Sequence, residues 1–139
     1  MSCVFCQIID GEAPARTVYE TETVQAFLDA YPLTSGHLLV VPKTHHNRLA
    51  DMPVDLARDV ITAIHVVTPA VEAAVDVEAT TIAFNNGRAA GQEVPHVHAH
   101  VVPRFETDGG GPIHRIFDSR PDQSPDELDA VQRSICEAI

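Results

Sequence analysis

Short runs of apolar residues, separated by polar turns, fill the first third of the chain in a pattern typical of β-strands. The stretches RTVYE (16–20) and VQAFLDA (24–30) predict two strands joined by a tight polar turn, and HLLVVPK (37–43) predicts a third. Pro32, Ser35 and Gly36 predict a loop between the second and third strands. We take the Cys-x-x-Cys segment that precedes these strands as a turn.

The spacing of the apolar positions changes after Pro53, which suits a first helical turn because its missing N–H is not needed there. Five apolar residues then follow at intervals of three or four, which places them on one face of an α-helix: Leu56, Val60, Ile64, Val67 and Val71. Pro69 lies inside this pattern, and an interior proline costs about 3 kcal/mol. We therefore expect the helix to bend or stop there.

The second half of the chain adds two strands and a helix. ATTIAFNN (79–86) predicts a fourth strand, EVPHVHAHVVPRF (93–105) a fifth, and TDGGGP (107–112) a mobile loop. Ser124 to Glu127 form a capping box that begins a short C-terminal helix, whose apolar stripe contains Leu128, Val131 and Ile135. The order of elements predicts one α+β domain over residues 1–139, an antiparallel sheet covered by helices.

The composition narrows the class of protein. The chain has 139 residues and a formal charge of −11, and Lys43 is its single lysine. Such an acidic molecule repels phosphate backbones, so we expect no nucleic-acid partner. No long apolar run or secretory leader is visible, which predicts a soluble cytoplasmic protein without a membrane partner. The acid-rich surface is also compatible with a saline environment.

Three histidines alternate with apolar residues in the predicted fifth strand. His96, His98 and His100 would point to one face, about 7 Å apart at neighbouring pairs, while the residues between them enter the core. Two kinds of chemistry suit this row. Neutral imidazoles can hold a metal such as zinc, and a bare imidazole nitrogen can also attack phosphorus without any metal.

The flanking residues identify a resemblance. The chain is similar to the histidine triad (HIT) family, in its small nucleotide-hydrolase branch, through CVFCQIIDGEAPA, VYETETVQAFLDAYPLTSGHLLVVPKTH and FNNGRAAGQEVPHVHAHVVPR. The resemblance covers residues 3 to about 105, and the loop and helix at 106–139 lie beyond it. It implies a five-stranded antiparallel sheet with one long and one or two short helices, and a homodimer whose sheets join into ten strands.

The resemblance also implies a mechanism. His98 would attack the α-phosphorus of a purine nucleoside phosphoramidate, phosphosulfate or dinucleoside polyphosphate, and water would hydrolyse the resulting nucleotidyl-histidine. His100 would donate to a phosphate oxygen or to the leaving group, and His37 would handle protons. Relatives that transfer nucleotidyl groups usually carry Gln at the third triad position, so His100 favours hydrolysis. A nucleotidyl transferase or phosphorylase, and a non-catalytic zinc- or nucleotide-binding module, are the alternative functions.

The implied nucleotide site uses neutral donors and one acid. Asp29 matches the residue that accepts hydrogen bonds from ribose hydroxyls, and Phe5, Phe27 and Leu28 are placed to sandwich a purine. Glu93 stands where the family often has Ser or Thr, so either its backbone alone contributes or its side chain turns away. The residues expected around the α-phosphate are Asn85, Gly91, Gln92, Glu93 and Val94.

Zinc is the cofactor that the resemblance implies, in a structural role. Cys-x-x-Cys alone is ambiguous, but two thiolates with two imidazoles make a closed tetrahedral site. Zinc-bearing members of this branch would use Cys3, Cys6, His45 and His96 in this numbering, with His46 as the alternative to His45. A plain thiol pair is the other interpretation of the two cysteines. We expect Cys136 to lie in the core or on the surface of the last helix.

Overall fold

The strands form one antiparallel sheet, and the computed structural model describes residues 3–139 of the chain. The strands are β1 (Thr17–Glu20), β2 (Val24–Leu28), β3 (Leu38–Pro42), β4 (Thr80–Phe84) and β5 (Ala99–Pro103), and the α-helices are α1 (Val4–Ile9), α2 (Val54–Val75) and α3 (Pro125–Ala138). Short 3-10 turns lie at Leu49–Asp51, Arg88–Ala90 and Ile113–Ile116. This architecture confirms the predicted α+β class and the five antiparallel strands.

The strand order is β1-β2-β3-β5-β4, so consecutive strands pair except where the chain crosses through α2. The first hairpin turns where the Thr21 hydroxyl accepts from the backbone N–H groups of Thr23 and Val24. β5 enters between β3 and β4, and His100 pairs with Leu39 on one side and with Ala83 on the other. The last histidine of the row is therefore held near the middle of the sheet.

Each face of the sheet is covered by a different helix. On one face, alternate residues of β2, β3 and β5 pack against the apolar stripe of α2, as the sequence pattern predicts. On the other face, Phe5 of the short helix α1 packs against Phe27, Leu39 and Val41. Burying one such side chain stabilises the fold by about 1.5–3 kcal/mol. The histidines lie on the α1 face, because Val97, Ala99 and Val101 face α2.

Pro69 does not stop α2, contrary to one of the outcomes expected from the sequence. The helix continues to Val75, with Pro53 as its N-cap and not in its first turn. Pro69 is exposed on the solvent side, where water can satisfy the carbonyl that loses its partner. The Thr68 hydroxyl donates to the Ile64 carbonyl at 2.7 Å, which supports the backbone beside the proline.

Two other local predictions were wrong. The Cys-x-x-Cys segment begins a helix, α1, where we predicted a turn, because Phe5, Ile8 and Ile9 pack on the sheet. The fifth strand begins at Ala99, so His96 and His98 precede it in a loop. That loop bends at residues 94–96 and is tied to the segment after β3, because the Val97 N–H donates to the His46 carbonyl at 2.8 Å.

The C-terminal helix begins where predicted but does not cover the sheet. Ser124 accepts from the Glu127 N–H, and Pro125 is the first helical residue, which confirms the capping box. Leu128, Val131 and Ile135 are each about half exposed, so their stripe packs on nothing in the single chain. Within residues 3–139, no helix combines the length and apolar character that a membrane span requires.

Candidate active site

A cleft of about 710 Å³ opens on the α1 face of the sheet, between α1, the end of β2 and the loop before β5. His98 and His100 lie on its floor, with their ring centroids 5.1 Å apart. Asp29 lies at one side, and Asn85 and Gly91 lie at the loop side. The sequence therefore predicted residues that the fold brings into a single cavity.

The hydrogen bonds of His98 leave one ring nitrogen bare. Its Nδ1–H donates to the backbone carbonyl of His96 at 2.7 Å, and the ring is buried with 8% of its surface exposed. A neutral imidazole that donates from Nδ1 carries its lone pair on Nε2. The edge of the Phe5 ring packs against His98 at a centroid distance of 5.0 Å, which restricts its rotation. His98 therefore lines the cleft with its Nδ1 engaged and its ring held in place.

A chain of hydrogen bonds fixes His100 in the opposite tautomer. The backbone N–H of Leu33 donates to His37 Nδ1 at 3.1 Å, so a neutral His37 carries its proton on Nε2. His37 Nε2–H donates to His100 Nδ1 at 2.9 Å, which leaves the proton of His100 on its own Nε2. One histidine therefore presents a lone pair to the cleft and its neighbour presents an N–H.

Burial keeps the relay neutral. It lowers the pKa of His100 to about 4, with smaller contributions from His98 and His37, and it also lowers the pKa of His37. Asp29 partly opposes both shifts, since its carboxylate lies 3.7 Å from His37 Nε2. The 2.9 Å separation of the His37 and His100 nitrogens is that of a hydrogen bond, so these two rings form a relay.

Of the five residues that we expect around the α-phosphate, the structure places four at the lining of the cleft. Asn85, Gly91, Glu93 and Val94 line it. Among residues 3–139, the backbone N–H groups of Glu93 and Val94 have no protein acceptor, so they are available to an anion. The left-handed backbone of Gly91, with φ of 91°, turns the chain at this point.

Gln92 is the exception, because its side chain points away from the cleft and braces the loop. Its Oε1 accepts from the Gly87 N–H at 2.7 Å, and its Nε2 donates to the carbonyls of Asn47 and Val94. Its backbone N–H donates to the Gly87 carbonyl. Each of these groups is therefore engaged in holding the loop at 91–94. Gln92 has no free donor left for the direct contact with phosphate that the resemblance implies.

The other end of the cleft combines apolar rings with one carboxylate. Phe5, Phe27 and Leu28 line it, as expected for a purine site. Asp29 follows β2 directly, and its Oδ1 accepts from the Tyr31 N–H at 2.9 Å, which fixes the side chain in a turn. Its remaining acceptor positions can take hydroxyl donors.

Beneath the cleft, four predicted metal ligands converge. One ligand atom from each of Cys3, Cys6, His45 and His96 lies within 4.8 Å of the other three. The His96 Nδ1 is 3.4 Å from Cys3 Sγ and 3.6 Å from Cys6 Sγ, and the His45 Nδ1 is 3.4 Å from Cys6 Sγ. Tetrahedral zinc with ordinary Zn–S and Zn–N bonds requires S···N edges of about 3.6 Å. The donor set therefore fits zinc in both chemistry and spacing.

The remaining nitrogens of the two histidines are anchored as metal ligands require. His96 Nε2–H donates to the Pro42 carbonyl at 2.8 Å, and His45 Nε2–H donates to Asn47 Oδ1 at 2.9 Å. Each bond leaves Nδ1 bare and facing the thiols. His46, the alternative ligand, instead contacts the Thr44 hydroxyl and lies outside the cluster.

The Cys6 thiol is poorly suited to a redox role without a cation. Burial and the neighbouring Cys3 raise the pKa of the Cys6 thiol, whereas reactive cysteines have a lowered pKa. The fold thus divides the histidine row: His96 joins the cysteines, and His98 and His100 line the cleft.

Cys136 is exposed on α3, away from the core.

Several residues of the site have no signal in the sequence. The acceptors for His96 and His98 are backbone carbonyls, and the donor to His37 is the backbone N–H of Leu33. Backbone groups are the same in every residue, so no pattern of residue types reveals them. Asn47 could have been noticed from its position two residues after His45.

Comparison with known proteins gives consistent matches. The HIT domain family model matches residues 10–107. An uncharacterized HIT-like protein of Methanocaldococcus jannaschii is 50% identical over 77% of this chain and 82% of its own length. An adenosine 5′-monophosphoramidase of Schizosaccharomyces pombe is 34% identical over 100% and 99%, and an adenylylsulfatase of Arabidopsis thaliana is 37% identical over 76% and 54%.

Solved structures match over nearly the whole chain. A HIT family crystal structure from Bacillus subtilis superposes with a TM-score of 0.90 at 35% identity, covering 100% of this chain and 98% of that one. A Zn-bound histidine triad family protein from Mycobacterium smegmatis has a TM-score of 0.75 at 37% identity, covering 100% and 99%.

Proposed function

The chain belongs to the HIT family, and from this premise we propose that it hydrolyses purine nucleoside phosphoramidates, phosphosulfates or dinucleoside polyphosphates at the α-phosphate. The observation that carries the proposal is the pair of opposite tautomers in the cleft. His98 Nε2 has a lone pair for phosphorus, and His100 Nε2–H is a donor for the oxygen or leaving group beside it. Relatives named as a phosphoramidase and an adenylylsulfatase support this class of substrate.

The first step forms one bond and breaks one. The lone pair of His98 Nε2 makes the bond to phosphorus, and the bond to the leaving group breaks with its electron pair moving to that group. An amine leaving group also takes up a proton from solvent. The N–H of His100, kept in place by His37, donates a hydrogen bond to the charge that develops there.

The second step regenerates the enzyme. Water attacks phosphorus, the electron pair of the P–N bond returns to His98 Nε2, and one proton is released to solvent. The two steps together consume one water and yield a nucleoside monophosphate. The free backbone N–H groups of Glu93 and Val94 support this role because they can hold the phosphate oxygens in both steps.

The nucleotide would lie along the cleft. We place the purine against Phe5, Phe27 and Leu28, the ribose hydroxyls at Asp29, and the α-phosphate beside Asn85 and the loop at 91–94. Glu93 contributes its backbone alone, because its carboxylate would repel the phosphate. Gln92 acts through the loop that it braces.

Zinc is the proposed cofactor, held by Cys3, Cys6, His45 and His96. Its chemistry is structural, since four protein ligands complete its tetrahedron and leave no open position for substrate. The Zn-bound relative supports the assignment. Free thiols at this site suit a reducing compartment such as the cytoplasm.

We also propose a homodimer of single HIT-like domains, in which the sheets of two chains join into ten strands. β4 is the last strand in the sheet order, and Ile82 on it is 45% exposed. An edge strand of this kind is available for pairing with a second copy.

The test is turnover of adenosine 5′-phosphoramidate by wild type and His98→Ala. We expect the variant to lose at least 10³-fold of monophosphate release while it still binds AMP, because only the nucleophile is removed. His114→Ala, at an exposed position outside the cleft, is the control and should behave as wild type. Unchanged release from His98→Ala would exclude the mechanism. A wild type that binds AMP without turnover would favour the non-catalytic module.

A further inference from the structure

Helix α1 and its N-cap contribute residues to both the metal cluster and the cleft. Cys3 and Cys6 belong to the metal cluster, whereas Val4, Phe5 and Ile8 line the proposed purine end of the cleft. The two sets alternate within a single turn and a half of helix, so neither can move without the other. A displacement of the thiols therefore displaces the wall of the nucleotide pocket.

The helix has little stability of its own. It spans six residues, Cys3 at its N-cap makes no side-chain capping bond, and no acidic residue occupies its first turn. Helices this short are marginal without outside contacts. Its position depends on the packing of Phe5 and its neighbours and on the two thiols facing His45 and His96.

A second connection runs through His96 to the nucleophile. The His96 ring faces Cys3 and Cys6 through Nδ1, and its backbone carbonyl accepts the bond that fixes the tautomer of His98. Phe5 touches both rings, with centroid distances of 5.8 Å to His96 and 5.0 Å to His98. Holding His96 thus holds the lone pair of His98 toward the cleft.

A third connection reaches the phosphate loop. His45 Nε2–H donates to the Asn47 side chain, and the Asn47 carbonyl accepts from Gln92 Nε2 at 2.7 Å. Gln92 in turn braces the loop at 91–94, in which the backbone N–H groups of Glu93 and Val94 have no acceptor within the described chain. The metal cluster is therefore attached to the base wall, the nucleophile and the phosphate cradle.

We propose that metal binding at Cys3, Cys6, His45 and His96 orders the nucleotide pocket, so that metal and nucleotide bind with positive coupling. This inference rests on the proposed function. It gives the metal a regulatory effect on affinity that a purely structural ion would lack. Because coupling between two ligands is reciprocal, the nucleotide must tighten metal binding by the same factor that the metal tightens nucleotide binding.

The experiment measures both halves of this coupling with zinc and AMP, independently of catalysis. AMP affinity is measured by calorimetry on zinc-loaded and zinc-free protein, and zinc affinity is measured by competition with a chromogenic chelator, with and without AMP. We expect AMP to bind about tenfold more tightly to the zinc-loaded protein, and saturating AMP to strengthen zinc binding by the same factor. Equal AMP affinity in both forms, or zinc affinity that ignores AMP, would overturn the coupling.

Amide hydrogen exchange separates local ordering from loss of the whole fold. Removing zinc should speed exchange in α1 and at 91–98 while α2 and β3 remain protected. A uniform rise over all elements would assign the metal to global stability and overturn the inference.

Two cysteine variants provide the matched comparison. Cys6→Ser removes a ligand, and we expect it to bind AMP as weakly as the zinc-free wild type does. Cys136→Ser removes an exposed cysteine on α3 and should retain the full coupling. Failure of the proposed function has a different signature, since zinc-loaded wild type would then release no monophosphate from adenosine 5′-phosphoramidate, whatever its affinity for AMP.

Discussion

At the scale of single residues, the site depends on which nitrogen of each histidine carries the proton. His98 donates from Nδ1, His96 and His45 donate from Nε2, and His100 accepts at Nδ1. The sequence singled out these residues, and the resemblance implied the roles that we propose for them. It could not predict the tautomers, because these are set by backbone carbonyls and N–H groups that come close only in the folded chain.

The neutral state of His100 has a consequence for stability. Its pKa is about 4 in the folded protein and about 6.5 in an unfolded chain. Between pH 6.5 and pH 4, the unfolded chain therefore binds a proton at His100 that the folded chain does not bind. The free energy of unfolding is highest above pH 6.5 and decreases as the pH falls towards 4.

His100→Asn tests this directly, since the Asn Oδ1 can replace Nδ1 as an acceptor for His37. We expect the drop in unfolding free energy between pH 7 and pH 5 to be smaller in the variant by about 1 kcal/mol, allowing for solvent screening of the partly exposed ring. Urea unfolding at both pH values, with equal metal content, gives the measurement. His65→Asn, at an exposed position on α2, is the control. The same pH dependence in His100→Asn and wild type would show that His100 is not held neutral by the fold.

At the scale of elements, the spacing of hydrophobic residues predicted the long and regular helices and strands. The first four strands and α2 lie near their predicted positions, since their apolar residues repeat with the strand or helix period, and β5 is shorter than predicted because it begins at Ala99. α1 was missed because six residues are too few to show a helical period, and its first turn looks like a metal-binding turn. Pro69 misled the prediction because exposure to solvent makes an interior proline tolerable.

The two edge strands of the sheet, β1 and β4, differ in how well they suit pairing with a second chain. β1 has an irregular register between Thr17 and Tyr19, which discourages further pairing, whereas β4 pairs regularly with β5 and leaves its other edge open. Ile82 on β4 and Ile61 on α2 are about half exposed and border the same groove.

We therefore expect wild type to sediment with the mass of two chains, and Ile82→Lys to sediment with the mass of one. Val18→Lys, on the other edge strand and also about half exposed, is the matched control and should remain dimeric. A single-chain mass for wild type, or a dimer that survives Ile82→Lys, would contradict pairing through β4.

At the scale of the whole molecule, an acidic protein has to hold an anion. The net charge is −11 and, of the residues that the structure describes, Arg16 alone brings a basic side chain to the cleft lining, so we expect neutral backbone N–H and imidazole N–H donors to make most of the contacts to an anion. The sequence predicted this arrangement through the resemblance, together with the four converging metal ligands. What it could not predict is how closely the metal cluster and the nucleotide cleft are joined, because α1, Asn47 and Gln92 connect them only after folding.

Covalent capture of the nucleotide by His98 is the central step of the proposed mechanism. Wild type, Cys136→Ser and His98→Ala would each be mixed briefly with adenosine 5′-phosphoramidate, quenched at alkaline pH to preserve the P–N bond, and examined by intact-mass and peptide mass spectrometry. We predict a mass increase of one adenylyl group in the first two proteins, located on His98, and none in His98→Ala. Rapid turnover with an adduct on another residue, or an adduct that persists in His98→Ala, would contradict the account.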